Sequence, residues 1–157
     1  MKAVSFDPGV MSKERDVKEM VAVVREWCIR NGVRFTPQRQ MVLEIIVRSE
    51  KPVGAYDILA EMARTVPNPK PTTIYRAIEF LQSHAFIHRI ESLNAYVPCH
   101  AGHSHDGSQF MVCDSCGTVQ EVHLCSLPAP LQKRIDDTGF ALSRWNMEIH
   151  GQCPACR

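Results

Sequence analysis

A pair of Cys-x-x-Cys motifs in the second half of this 157-residue chain limits the folds open to it. The first contains Cys113 and Cys116 and is followed by Gly117; the second contains Cys153 and Cys156. Two intervening residues allow one tight turn to direct both sulfurs at a single ion, and four thiolates complete the tetrahedral shell of a structural zinc site. The spacing therefore predicts one zinc ion that closes a small domain. Two disulfides, or one redox motif beside unrelated cysteines, are the alternatives.

Composition is that of an ordinary globular protein, with 45% hydrophobic and 22% charged residues. The sequence contains no apolar run long enough for a transmembrane helix, and residues 1–12 lack the apolar segment of a signal peptide. We therefore expect a cytoplasmic protein. In a reducing compartment, metal ligation is a more usual role for its seven cysteines than disulfide formation.

Charge and histidine are distributed unevenly along the chain. Residues 1–91 carry 14 Lys/Arg against 11 Asp/Glu, whereas residues 92–157 carry 4 against 6, and five of the seven histidines follow residue 99. A basic first half is compatible with nucleic-acid binding but does not establish it. The distribution predicts a basic module followed by a Cys/His-rich one.

Apolar residues at helical spacing predict helices in the first half, over residues 16–31, 37–49, 55–64 and 70–84. Thr36 is suited to the N-cap of the second helix and Pro37 to its first position. Two short strands, 87–91 and 95–98, follow around a turn. Helices followed by a hairpin predict a winged helix, whose last helix enters the major groove of DNA. A plain helical bundle is the alternative.

The last of these helices has a clear inner face. Its apolar stripe consists of Ile74, Ala77, Ile78 and Leu81. Tyr75 and Arg76 therefore project away from the core near the N-terminal end of the helix.

In the second half, apolar residues follow the alternating pattern of strands more often than helical spacing. This part of the sequence predicts strands at 109–112, 119–122 and 140–150, and a helix at 127–137. The fold class is thus α+β: an N-terminal winged-helix domain followed by a small α/β domain with a four-cysteine zinc site. Because about 65 residues form a marginal core, we expect this domain to dimerise through its sheet.

A second cluster of metal-ligand residue types lies between the hairpin and the first Cys-x-x-Cys motif. Its members, with two flanking candidates, are Cys99, His100, His103, His105, His88 and Glu121. A shell of one thiolate with imidazoles and a carboxylate favours Zn²⁺ over Mn²⁺ or Mg²⁺ and argues less firmly against Fe²⁺. The alternative is that the loop histidines are merely solvated. His123 and Cys125 have no evident partners, and we do not assign them as ligands.

Five segments in order resemble one known family. They are Phe35–Arg39, Ala55–Asp57, Pro71–Ala77, His84–Glu91 and Cys113–Gly117. Together they resemble the ferric uptake regulator family of bacterial metalloregulators, over roughly residues 15–156. Within that family, Tyr96–His100 and the terminal Cys-x-x-Cys are most similar to the zinc uptake regulator branch.

The resemblance implies a homodimeric, zinc-activated repressor of zinc-acquisition genes, bound to palindromic operator DNA and holding two Zn²⁺ per chain. The four cysteines of the two motifs match structural ligands, and the implied regulatory ligands are His88, Cys99, His105 and Glu121. The Cys99–Cys113 segment is about one residue shorter than in relatives, so His103 is a rival to His105. The implied DNA-binding residues are Tyr75, Arg76, Tyr56, Arg39 and Thr73.

The expected organisation is a flexible arm (1–14), a winged-helix domain (15–91), a hinge (92–98) and a dimerisation and metal-binding domain (99–157). A zinc enzyme is disfavoured, because the sequence contains no His-Glu-x-x-His, no His-x-Glu before a Cys-x-x-Cys, no P-loop and no Gly-x-Ser-x-Gly. We expect no small-molecule substrate and no membrane partner. The remaining alternatives are a protein-binding zinc ribbon and, within the family, a sensor of iron or peroxide.

Overall fold

The computed structural model describes residues 13–99, 107–122 and 126–157. Within these ranges the elements are, in chain order, α1 (Lys13–Arg30), α2 (Pro37–Arg48), α3 (Ala55–Met62), α4 (Pro71–Ser83), β1 (Ile87–Ile90), β2 (Ala95–Pro98), β3 (Gly107–Cys113), β4 (Val119–Glu121), α5 (Ala129–Asp137) and β5 (Trp145–Gly151). No helix in the described residues is both long enough and apolar enough to cross a bilayer.

Helices α1 to α4 pack around one apolar core, as their periodicity predicts. All four members of the predicted α4 stripe are buried. The predicted start of α2 is confirmed as well: Thr36 is the N-cap, its hydroxyl accepts a hydrogen bond from the Arg39 N–H at 3.3 Å, and Pro37 is the first helical residue. Helix α4 follows α3 as the last helix before the hairpin, and its buried stripe packs in this core.

Strands β1 and β2 form an antiparallel hairpin that contacts both halves of the protein. On one face, Ile87 and Tyr96 join the core of the helices. On the other face, Ile90 is fully buried against Phe110 and Val112 of β3. Because successive side chains alternate between the faces of a strand, four-residue strands supply apolar contacts in both directions. The hairpin thus joins the helical module to the second sheet.

The second sheet has the order β4-β3-β5. β3 pairs antiparallel with β4 and parallel with β5, and the parallel register begins at Gly107 opposite Trp145. The predicted strand over 140–150 therefore started too early, since residues 140–144 precede the first paired position and have no regular structure. The predicted helix over 127–137 begins two residues later, at Ala129.

Helix α5 differs from the other helices in that none of its residues is buried. The same module also exposes large apolar side chains, including Phe140 at 67% and Ile149 of β5 at 48%. An apolar surface of this kind commonly marks a binding interface. The segment expected to act as a hinge, residues 92–98, comprises part of the hairpin turn and the whole of β2.

Candidate metal centres and recognition helix

The four cysteines of the two Cys-x-x-Cys motifs meet at one end of the second sheet. β3 and β5 are adjacent parallel strands with Cys113 opposite Gly151, so both chain segments leave the sheet at the same end. The four Sγ atoms lie within 4.8 Å of one another, and the Cys116 and Cys153 sulfurs are 3.7 Å apart. A tetrahedron with Zn–S bonds of about 2.3 Å has sulfur–sulfur edges of about 3.8 Å. The arrangement fits zinc, and these cysteines form no disulfide.

The local backbone favours this geometry. Gly117 has φ of 71°, a left-handed conformation that glycine adopts without a steric penalty, and its N–H donates to the Cys113 carbonyl at 2.9 Å. In the second motif the Cys156 N–H donates to the carbonyl of Cys153, three residues earlier, also at 2.9 Å. Each turn is therefore closed by its own backbone hydrogen bond.

The sulfurs of Cys113, Cys116 and Cys156 differ in acidity because they have different hydrogen-bond partners. The backbone N–H of Cys153, 3.3 Å from Cys113 Sγ, together with that of Cys116, lowers the pKa of Cys113 to about 6. The Thr118 hydroxyl lowers the pKa of Cys116. Hydrogen bonding to the Cys153 and Cys116 sulfurs raises the pKa of Cys156 to about 12. A divalent ion requires thiolates, so binding must displace a proton from this cluster at neutral pH.

The second set of predicted ligands comes from different elements. His88 lies on β1, Cys99 directly follows β2, and Glu121 ends β4. One ligand atom from each lies within 4.8 Å of the others, and His88 Nε2 is 3.5 Å from Glu121 Oε1. The cluster is shielded from solvent: Cys99 is buried, and the side chains of the other two are 13% exposed. Three donors of different type thus converge, two from the hairpin strands or their end and one from the second sheet.

An observation at Glu121 favours a cation at this cluster. Its Oε2 is buried and accepts no hydrogen bond from the part of the chain that the structure describes. A buried carboxylate oxygen is costly unless it is paired or bound to a metal. The imidazole, thiolate and carboxylate together fit Zn²⁺.

The remaining residues of the sequence cluster lie outside the described ranges. They are His100, His103 and His105; His123 and Cys125, which we do not assign as ligands, also lie outside these ranges. The choice between His105 and His103 as the fourth ligand stays a prediction.

The recognition residues predicted on α4 occupy its exposed face. Tyr75 is 49% exposed and Arg76 is exposed, while Thr73 in the first turn is half-buried. Tyr56, near the start of α3, is 80% exposed. These side chains are accessible on the helices that a winged helix directs at DNA.

Arg39 has a different environment from the other predicted DNA contacts. Its guanidinium lies 3.6 Å from the centroid of the Phe80 ring and donates to the Arg34 carbonyl. A cation over an aromatic face is attracted by the ring quadrupole. Arg39 therefore joins α2 to α4, and its contact with DNA stays a prediction.

One further set of contacts was not predicted from the sequence. The Glu148 carboxylate on β5 accepts hydrogen bonds from the backbone N–H groups of Glu91 at 2.6 Å and Ser92 at 3.2 Å, more than 50 residues away. Next to it, His150 Nδ1 lies 2.9 Å from the Asp114 carboxylate. The sequence shows Glu148 only as an acidic residue in a strand that has no purely apolar face. That pattern does not identify the groups to which Glu148 binds.

Comparison with known proteins gives a consistent picture. The sequence matches the model of the ferric uptake regulator family over residues 30–150. It is 36% identical over 141 residues to the zinc uptake regulation protein of Escherichia coli (strain K12), an alignment that covers 88% of this chain and 82% of that protein.

Solved structures agree with the sequence comparison. A zinc uptake regulator complexed with zinc and DNA superposes with a TM-score of 0.82 at 37% identity, covering 89% of this chain and 94% of that one. The holo form of XcZur gives 0.78 at 35% identity, covering 88% and 96%. Its apo form gives only 0.51 at 36% identity, covering 90% and 98%. Since identity and coverage barely differ between the two XcZur forms, the described conformation is closer to the holo form.

Proposed function

Because the chain belongs to the ferric uptake regulator family, we propose that it is a zinc-responsive transcriptional repressor that binds palindromic operator DNA as a homodimer and shuts off zinc-uptake genes. The observation that carries the proposal is the convergence of His88, Cys99 and Glu121 within 4.8 Å. The hairpin supplies two of these ligands and the second sheet supplies the third. Metal binding would therefore change how firmly the helical module is attached to the second module. The site of action is the cytoplasm, where the operator is.

Two zinc ions per chain are proposed. The four-cysteine site is structural, because a closed shell of four protein ligands leaves no position for exchange. The regulatory site comprises His88, Cys99 and Glu121, with His105 as the proposed fourth ligand. The domain boundaries given above remain part of this proposal.

The path from the regulatory site to the DNA-binding surface is short. α4 ends at Ser83 and β1 begins at Ile87, and the Phe86 N–H donates to the Leu81 carbonyl at 2.9 Å. The Cys99 N–H donates to the Phe86 carbonyl at 3.0 Å. A zinc ion bound there would supply the positive charge that holds the three donors together. His88 and Cys99 would then fix α4 relative to the second sheet.

Sequence recognition is assigned to α4. Arg76 would donate two hydrogen bonds to guanine O6 and N7, a contact worth about 1–3 kcal/mol of discrimination. Tyr75 would pack on a thymine methyl, and Thr73, Tyr56 and Arg39 would contact the backbone. Two copies of α4 about 34 Å apart, one in each protomer, match half-sites one helical turn apart.

Dimerisation is assigned to the second module. α5 has no buried residue, and Phe140 and Ile149 are exposed on the same module. A second copy of the module would cover such apolar surface. The regulatory site lies between this module and the hairpin, so its occupancy sets the positions of both recognition helices.

Other functions are less well supported. An iron or peroxide sensor of the same family is disfavoured by the buried thiol of Cys99 in the cluster, since sulfur favours zinc. The family is one of regulators, so no enzymatic reaction is assigned. A zinc ribbon that binds only protein would not require an exposed recognition surface on α4.

The decisive experiment is a DNA-binding titration against buffered free zinc, with zinc counted per chain. The duplex is selected from a random library with zinc-loaded protein, and wild type is compared with Cys99→Ser. We expect wild type to pass from one zinc to two per chain as DNA affinity rises, and Cys99→Ser to stay at one without tightening. Equal DNA affinity of wild type at every zinc level would contradict the proposal.

A further inference from the structure

The Glu148 carboxylate connects β5 to the turn of the hairpin through hydrogen bonds. Its two oxygens accept separate backbone hydrogen bonds, Oε1 from Glu91 at 2.6 Å and Oε2 from Ser92 at 3.2 Å. The Glu148 side chain is 11% exposed, although both donor residues are themselves exposed. A carboxylate that accepts two backbone N–H bonds in a shielded position is held in one orientation by strong, charge-assisted bonds.

Neighbouring groups fix this carboxylate on its own side. His150 lies two residues further along β5, on the same face of the strand, with Nε2 3.6 Å from Glu148 Oε2. The other ring nitrogen of His150 lies 2.9 Å from Asp114, which follows Cys113. Asp114 also donates its backbone N–H to the Gly151 carbonyl at 2.8 Å.

These contacts join three parts of the molecule. The turn that holds Glu91 and Ser92 belongs to the hairpin and follows β1, the strand that carries His88. The far end of β5 carries the second Cys-x-x-Cys motif. The Glu148 contact is therefore a polar connection between the modules, separate from the regulatory ligands and additional to the apolar packing of Ile90 on β3.

We propose that Glu148 is a positioning residue that holds the hairpin on the second sheet in the DNA-binding arrangement, with His150 orienting its carboxylate. The inference rests on the proposed function and adds to it. In a protein without this contact, regulatory zinc and the apolar packing of Ile90 on β3 must hold the two modules together. The zinc concentration needed for DNA binding must then rise, because part of the binding free energy of zinc is used to order the modules.

The test uses full-length dimeric protein with its structural zinc, the selected duplex and buffered free zinc. Glu148→Ala removes both acceptors. Glu148→Gln keeps the shape and one acceptor oxygen, so it serves if the alanine variant folds poorly. The matched control is Glu26→Gln, the same chemical change at an exposed residue of α1 that pairs only with Arg30 of its own helix in the described structure.

Two quantities are measured: the free zinc at half-maximal DNA binding, and the hydrogen-exchange rates of the Glu91 and Ser92 amides. We expect Glu148→Ala to raise half-activating zinc at least about tenfold, a change of about 1.4 kcal/mol, and to speed exchange at both amides. Glu148→Gln should show a smaller shift in the same direction, and Glu26→Gln none. Zinc content per chain at saturation should stay at the wild-type value.

The possible results distinguish a failure of the positioning role of Glu148 from a failure of the proposed repressor function. Half-activating zinc within about twofold of wild type in Glu148→Ala would overturn the positioning role and leave the repressor function intact. A zinc shift without faster exchange at the two amides would also overturn it, since the effect would not pass through this contact. A wild-type protein that binds the duplex equally at all zinc levels would refute the proposed function itself.

Discussion

The four-cysteine site should control whether the second module is folded at all. In the described residues, the buried apolar cluster of this module consists of Phe110, Val112 and the hairpin residue Ile90. Full burial of such a side chain contributes about 1.5–3 kcal/mol, so the three contribute about 5–9 kcal/mol. A structural zinc site contributes an apparent 10–16 kcal/mol, roughly, at neutral pH. Zinc binding therefore contributes more to the stability of this module than burial of its apolar cluster does.

The helical module does not depend on this site, because among the described residues its core contains 17 buried ones, from α1–α4, the hairpin and the connection between α4 and β1. We expect the double variant Cys153→Ser/Cys156→Ser to lose the second sheet while the helices remain folded. Amide hydrogen exchange resolved by residue is the assay: protection should vanish in β3 and β5 and persist in α2 and α4.

The control for this experiment is Cys99→Ser, which removes a sulfur from the other cluster. It should leave β3 and β5 protected, because the four-cysteine site is intact. Retained protection of β3 and β5 in a double variant shown to hold no zinc would refute the reasoning. It would mean that apolar packing and dimerisation stabilise the module without the metal.

Three further predictions follow from individual side chains. Arg76→Ala should weaken binding to the selected duplex by about 1–3 kcal/mol and relax discrimination at one base pair, as measured by competition with single-base variants of the duplex. Gly107→Ala should destabilise the second module by about 1–3 kcal/mol in denaturant titration, because the added Cβ would lie 2.0 Å from the Trp145 ring; an unchanged midpoint would show that the ring moves aside freely. Zinc affinity of the four-cysteine site should rise about tenfold per pH unit for each proton that zinc displaces. Cys156, with a pKa of about 12, is protonated at neutral pH and must lose its proton, whereas Cys113, with a pKa of about 6, is already a thiolate. A competition assay with a chelator at pH 7 and 8 measures this slope, and a pH-independent affinity would contradict it.

Several elements of this protein are determined locally and were therefore predictable from the sequence. The buried stripe of α4 follows from helical periodicity, since residues three and four apart share a face. Thr36 and Pro37 define the start of α2 through their own backbone chemistry. The Cys-x-x-Cys spacing predicts pairs of ligands because two intervening residues close one turn. Each of these signals involves residues within a few positions of one another.

Some boundaries depended on pairing between distant segments. The pattern over 140–150 alternates, but only the residues from Trp145 onward face a partner strand. Alternation alone cannot show where pairing begins, because the backbone hydrogen bonds of a strand are made with another part of the chain. The parallel pairing of β3 with β5, which brings the two cysteine motifs together, is likewise absent from either segment taken alone.

The convergence of His88, Cys99 and Glu121 shows the same division. The sequence supplied three residues of suitable type, and the family resemblance grouped them; the tertiary structure brought them within 4.8 Å of one another. Glu148 had no such signal, since its partners are backbone N–H groups, which every residue except proline carries. Residue types and short spacings are thus determined by the sequence itself. Which distant groups meet is decided by the packing of the hairpin between the helical core and the second sheet.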